Sequence, residues 1–190
     1  KVIDKVHFLT CSAHKFHGPK GIGFLYINKD IQINPLIHGG SQERNMRGGT
    51  ENVYGIVGLS KAMDVAFENL IAHKEYVTEL KSYMIERLNS SIDGVAYNAD
   101  CNNLARSLYT VLSVSLPPAD IAPMLLFNMD IMGVACSGGS ACTSGANSGS
   151  HVLAGIEAPA DLPTISFSFS RFNTKDEIDY AVDCLAELYS

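Results

Sequence analysis

Ser12-Ala13-His14-Lys15-Phe16-His17-Gly18-Pro19-Lys20-Gly21 is the stretch on which the reading of this 190-residue chain turns. It follows a short apolar segment with Val6, Phe8 and Leu9, which reads as a strand. Small and polar residues then replace the apolar ones, and Gly18, Pro19 and Gly21 turn the chain sharply away. An amine on such a turn is held firmly at a sheet edge, which makes Lys15 a candidate for chemistry. A solvated loop lysine is the plainer alternative, and the neighbouring segments decide between the two.

Working outward, residues 22–27 read as a second strand and 29–35 as a loop. A glycine-rich polar tract follows at 39–50, ending Arg47-Gly48-Gly49-Thr50. Residues 51–71 carry Val53, Ile56, Val57, Ala62, Met63, Ala66, Phe67 and Leu70 at helical spacing, and a second amphipathic run carries Val77, Leu80, Met84, Ile85 and Leu88. Both are expected to be core helices. Beyond Asp93-Gly94 the pattern changes to strand: 108–116 is apolar and β-branched and ends at Pro117-Pro118. Helix is expected over 120–129, a brief strand at Val134 and Ala135, and another strand at 165–169. Thr174 with Glu177 makes a capping box for a last helix with Ile178, Ala181, Val182, Leu185 and Leu188 inward. Residues after about 72 have the elements of an α+β domain, whereas two strands and a loop within 1–71 make a poor sheet alone.

Bulk properties exclude several classes. At 46% hydrophobic residues the chain buries one good core or two small ones. A formal charge of -6 with no basic stripe argues against nucleic acid as a partner. No apolar run approaches the roughly 20 residues that span a bilayer, so no membrane segment is expected. The start, Lys1-Val2-Ile3-Asp4-Lys5-Val6, lacks an initiator methionine and a signal-peptide pattern, and the chain reads as part of something longer. Five cysteines, at 11, 101, 136, 142 and 184, form no C-x-x-C pair and fit a reducing cytoplasm.

Among those cysteines, Cys142 stands out. It lies in Gly139-Ser140-Ala141-Cys142-Thr143-Ser144-Gly145, amid small polar residues with no bulk to hide it, inside a loop over 136–149 of almost only Ser, Gly, Ala, Thr and Cys. Reactivity is the expectation for Cys142 and packing for Cys136. Cys11 reads as core, and Cys184 and Cys101 offer no specific signal.

In order, the S-A-H-K-F-H-G-P-K-G, R-G-G-T-E-N and G-S-A-C-T-S runs resemble cysteine desulfurases of the NifS/IscS type, in the class V branch of fold type I pyridoxal phosphate enzymes. The resemblance reaches R-F-N-T-K-D-E-I-D at 171–179 and covers essentially the whole chain, as the C-terminal half of such an enzyme. It implies an α/β fold type I transferase, with 1–71 a remnant of the large pyridoxal-phosphate-binding domain and 72–190 the small α+β domain that carries the cysteine loop. It further implies that Lys15 holds the cofactor, that Ser12 and His14 sit against its phosphate, and that Thr50 reaches the phosphate of a neighbouring subunit in a homodimer. A hydroxyl and an imidazole N–H both suit phosphate oxygens as donors. Thr50 as a plain helix N-cap is a compatible reading. His17 and Lys20 read as local structure. The implied substrate is L-cysteine, with Cys142 taking its sulfur as a persulfide for an iron-sulfur scaffold or another acceptor protein in the cytoplasm.

Two departures from the pattern matter. Where the resemblance places an arginine for the substrate carboxylate, this chain has Ser166. Losing a charged, bidentate partner costs on the order of 2–5 kcal/mol, so weakened or abolished turnover is expected. The acidic partner of the cofactor ring and its stacking histidine belong upstream of Lys1, so the 190-residue chain alone is expected to be inactive and to bind cofactor poorly. Selenocysteine lyase is a close alternative. A noncatalytic degenerate paralogue or proteolytic remnant is the contrasting one.

Overall fold

The computed structural model describes residues 5–138, 150–159 and 161–190. The chain divides into two compact units, Lys1–Leu70 and Ile71–Ser190.

In the first unit, β1 (Phe8–Ser12) pairs antiparallel with β2 (Gly23–Ile27), Phe8 opposite Ile27 and Ser12 opposite Gly23. Glycine is needed at 23, because a Cβ there would run into the carbonyl oxygen of Cys11. Between the strands lies a 3-10 turn, Ala13–Phe16, closed by His17 in the left-handed region at φ 67°. Helix α1 (Val53–Glu68) rests on this reversal through two glycines. A Cβ built at Gly55 would approach Ile22 Cβ to 3.1 Å, and one at Gly58 would approach Pro19 Cγ to 2.5 Å. The N-cap of α1 is Asn52, whose side chain accepts from the Gly55 N–H at 3.0 Å. Thr50 is therefore not the cap, because the amide two residues later takes that place.

The apolar pattern of 51–71 led to the expectation of a core helix, and within its unit α1 is not one. Gly55 is its buried residue, while Val53, Tyr54, Ile56, Val57 and Phe67 are exposed. A two-stranded ribbon and a turn offer too little surface to cover a helix of 16 residues. For the same reason Cys11 is half-buried rather than core.

The second unit has a conventional core. Strands β3 (Ala96–Tyr97), β4 (Val111–Ser115) and β5 (Thr164–Ser168) lie in that order, antiparallel. Alternation sends Leu112, Val114, Ile165 and Phe167 to one face. There they pack with Val77, Leu80, Met84 and Leu88 of α2 (Leu70–Ser91), Leu125 and Met129 of α3 (Leu125–Ile131), and Ile178, Val182 and Leu185 of α5 (Lys175–Leu188). Each such side chain contributes about 1.5–3 kcal/mol on burial. Both halves of the Thr174/Glu177 capping box are formed at α5. A short helix, α4 (His151–Gly155), is capped by Ser150. The helix expected over 120–129 begins as a 3-10 turn, Ala122–Met124, before becoming α3. The brief strand expected at Val134 and Ala135 is replaced by a single antiparallel bridge between Ser137 and Ser166. Gly133 turns the chain in the left-handed region just before it.

Candidate active site

Ser12, His14 and Lys15 are brought together by one turn. Ser12 is extended (φ -114°, ψ 125°) and starts the 3-10 turn without using its hydroxyl as a cap. Ala13 is fully buried beneath the turn. The backbone is pinned twice: the Gly18 N–H donates to Ala13 O at 2.8 Å, and the Ala13 N–H donates to Ile22 O at 3.0 Å. A Cβ at Gly18 would come within 2.8 Å of Ala13 Cβ, so this closure depends on glycine. His14 and Lys15 are exposed on the pinned turn, and Lys15 forms no ion pair among the described residues. A hydroxyl, an imidazole and an uncommitted amine on one rigid turn fit the donor set that a phosphorylated aldehyde requires.

The 39–50 tract is held by close glycine contact. A Cβ at Gly48 would sit 2.8 Å from Gly39 N, and the Gly48 N–H donates to Ile37 O at 2.9 Å. Gln42 Oε1 accepts from the Gly49 N–H at 3.2 Å, and Arg47 Nη1 donates to Gly48 O at 2.7 Å. Between these anchors Glu43, Arg44 and Asn45 are all left-handed, at φ 46°, 57° and 64°. Such a conformation costs roughly 1–2 kcal/mol per residue for L-amino acids. Thr50 is exposed at the end of the tract.

Ser166 belongs to the second unit, half-buried at the middle of β5. Cys142 lies outside the described residues. The other cysteines are placed more plainly. Burial pushes the Cys136 thiol up, with Asp130 adding to the effect, so it is held protonated and packs against the core. Cys184 is buried, and Cys101 Sγ donates to Ser113 O at 3.0 Å.

One charged group escaped the sequence reading. Lys81 is 0% exposed, with Nζ donating to Ser107 Oγ at 2.8 Å and to Leu108 O at 2.9 Å. Desolvation lowers its pKa, with Cys101 acting in the opposite direction. The signal was present, since position 81 lies four after Val77 and three before Met84 on the apolar stripe of α2.

A family model for class V aminotransferases matches residues 4–181, and the chain belongs to that family. Cysteine desulfurase IscS of Dictyoglomus turgidum is 40% identical over 185 residues, which span 96% of this chain and 46% of that protein. Among solved structures, a NifS-like protein matches with a TM-score of 0.84 at 35% identity, covering 97% of this chain and 47% of that one. A structure described as SspA in complex with cysteine matches with a TM-score of 0.61 at 27% identity, over 90% of this chain and 46% of that one. The fold is thus that of the NifS-like fold type I enzymes, a class that works with pyridoxal phosphate. The chain spans about half the length of the curated relatives it matches.

Proposed function

We propose that the chain supplies the cofactor-bearing turn and the sulfur-accepting cysteine of a cysteine desulfurase. In this reading, residues 1–71 belong to the large cofactor domain and 72–190 form the small domain. The observation that carries it is the pinned turn presenting Ser12, His14 and Lys15 together, in a chain 40% identical to a cysteine desulfurase.

Lys15 would hold pyridoxal phosphate, with Ser12 and His14 donating to its phosphate and Thr50 donating to that of a second subunit in a homodimer. The cofactor, when bound, supplies an electron sink beside the Cα of the amino acid. The Lys15 amine would also move the Cα proton of L-cysteine. Cys142 would attack the substrate sulfur as a thiolate: a Cys142 S–S bond forms, the substrate C–S bond breaks with its electron pair left on Cβ, and protonation there and at Cα gives L-alanine. The outer sulfur then passes to an iron-sulfur scaffold or another acceptor protein. Among the described residues no helix is long and apolar enough to cross a membrane, and a cytoplasmic setting suits unpaired thiols at Cys11, Cys101, Cys136 and Cys184.

Ser166, standing where the resemblance places a substrate-binding arginine, favours a second reading, a noncatalytic relative that keeps the fold. Sulfide release from L-cysteine and a reductant by the full-length protein separates the two. The first reading expects sulfide from the wild type and a loss of roughly 10²-fold or more in both Lys15→Ala and Cys142→Ala. Equal sulfide from all three would end it, and none from the wild type would favour the second.

A further inference from the structure

The last helix ends at a cleft of the second unit. Ala119, Asp120 and Ile121, from the segment before α3, line it together with Leu188, Tyr189 and Ser190 from the end of α5, around a volume of about 410 Å³. Small-ligand sites commonly measure roughly 300–1,000 Å³. Both lining segments are held by their backbones. The Ala122 N–H donates to Ala119 O at 3.0 Å, and the Met124 N–H donates to Ile121 O at 2.9 Å. The Tyr189 N–H closes α5 by donating to Ala186 O at 3.1 Å.

The polar groups of this cleft are short of donors. Tyr189 Oη is buried and has no hydrogen-bond partner, which is true of no other buried side-chain oxygen or nitrogen among the described residues. Burial pushes its pKa up, so the hydroxyl stays neutral. A buried polar atom left unpaired is costly, and a donor from outside removes that cost. Ser190 Oγ gives its proton to Glu187 O at 2.9 Å and keeps only its capacity to accept. Asp120 is exposed and forms no ion pair among the described residues. The last turn of α5 holds no basic residue, although the unpaired carbonyls at a helix C-terminus favour a cation.

The charge of the unit points the same way. Residues 71–190 carry fourteen Asp and Glu against six Lys and Arg. Of those six, Arg87, Arg106 and Lys175 pair with acidic side chains, Lys81 is buried against Ser107 and Leu108 O, and Arg171 lies over the Phe172 ring.

We propose that this cleft binds an arginine side chain presented by a partner protein. A guanidinium donates and does not accept, so it complements a carboxylate, a tyrosine oxygen and a serine oxygen that all lack donors. Its methylene stem packs on Ala119, Ile121 and Leu188. A lysine ammonium lacks the planar fork that addresses several acceptors at once. The acidic surplus steers a basic protein to this unit, whereas free arginine brings a carboxylate of its own into the same acidic surroundings. The site is separate from the residues assigned to the cofactor and to sulfur, and it does not depend on the desulfurase reading.

The test is methyl NMR of the full-length protein, observing Ile121 and Leu188 during titration with Nα-acetyl-L-arginine amide. Nα-acetyl-L-citrulline amide serves as the uncharged isostere. Saturable shifts at both residues are expected, with the arginine probe bound about fivefold or more tighter than the citrulline probe. Asp120→Asn should weaken the arginine probe by about two- to fivefold. Tyr189→Phe should weaken it by about two- to tenfold while the melting temperature holds or rises, since no bond within the free protein is lost. A lower melting temperature in Tyr189→Phe would mean that the hydroxyl already has a partner, and it overturns the site. So do equal affinities for the two probes, unmoved Ile121 and Leu188 methyls, or binding unchanged in Asp120→Asn. Free L-arginine bound more than about tenfold tighter than the capped probe overturns a partner protein as the source.

Discussion

The two units of this chain use their residues in opposite ways. Lys1–Leu70 gathers three candidate cofactor contacts on one turn, yet its apolar side chains are largely exposed, with Tyr54 at 92%. Ile71–Ser190 seals Leu80, Leu88, Leu112, Leu116, Ile165 and Leu185 completely and turns the serines of its sheet strands away from them. The first unit is ordered by backbone closure through glycines, the second by side-chain burial. Precision at a site and stability of a domain are thus separable physical achievements, the one resting on hydrogen bonds and steric contact, the other on apolar area.

That contrast can be broken by mutation. The largest effect on stability is expected from Leu112→Ala, which opens a cavity in a site with no exposure and should cost about 2–5 kcal/mol in denaturant unfolding of the full-length protein. A loss below about 1 kcal/mol would mean that the second unit is not held by this core. Gly58→Val should act differently. Its side chain must push Pro19 off α1 at about 1–3 kcal/mol, and the damage should appear as faster amide exchange at 13–22 while the second unit keeps its protection. Uniform change across both units would refute the separation.

The smallest effect sharpens the comparison through pH. Lys81 has a folded pKa lowered by desolvation, so between that value and its ordinary 10.5 the unfolded chain binds more protons. Its contribution to stability therefore rises with pH across this window. Lys81→Met should remove that rise, so urea midpoints of the two proteins should diverge in slope between neutral pH and about pH 10. Parallel curves would show that Lys81 keeps an ordinary proton affinity in the fold.

Legibility in the sequence followed the range of the interaction. The strand, turn, strand order around Lys15 and the Thr174/Glu177 capping box depend on residues within a few positions of one another, and both were readable. The cap at Asn52 was misplaced by two residues, because Thr50 and Asn52 are both good caps and only backbone geometry chooses. Helix α1 was misread as core because periodicity reports an apolar stripe without reporting what lies against it. Lys81 was missed because a charged residue on an apolar stripe is ordinarily taken as a flank. Its acceptors, Ser107 and Leu108 O, come from a loop that the pattern of α2 does not announce.

By itself the order of residues showed the family, through three short runs that resemble the NifS/IscS-type enzymes in sequence order, and a class V aminotransferase model matches residues 4–181. It also determined which strands and helices could form. Only the tertiary structure decided that Ser113, Ser166 and Ser137 stand in one row, that α1 remains uncovered within its unit, and that a lysine can sit in the core of the other. These outcomes depend on strand register and on the area available for burial, and both are set by segments far apart in the chain.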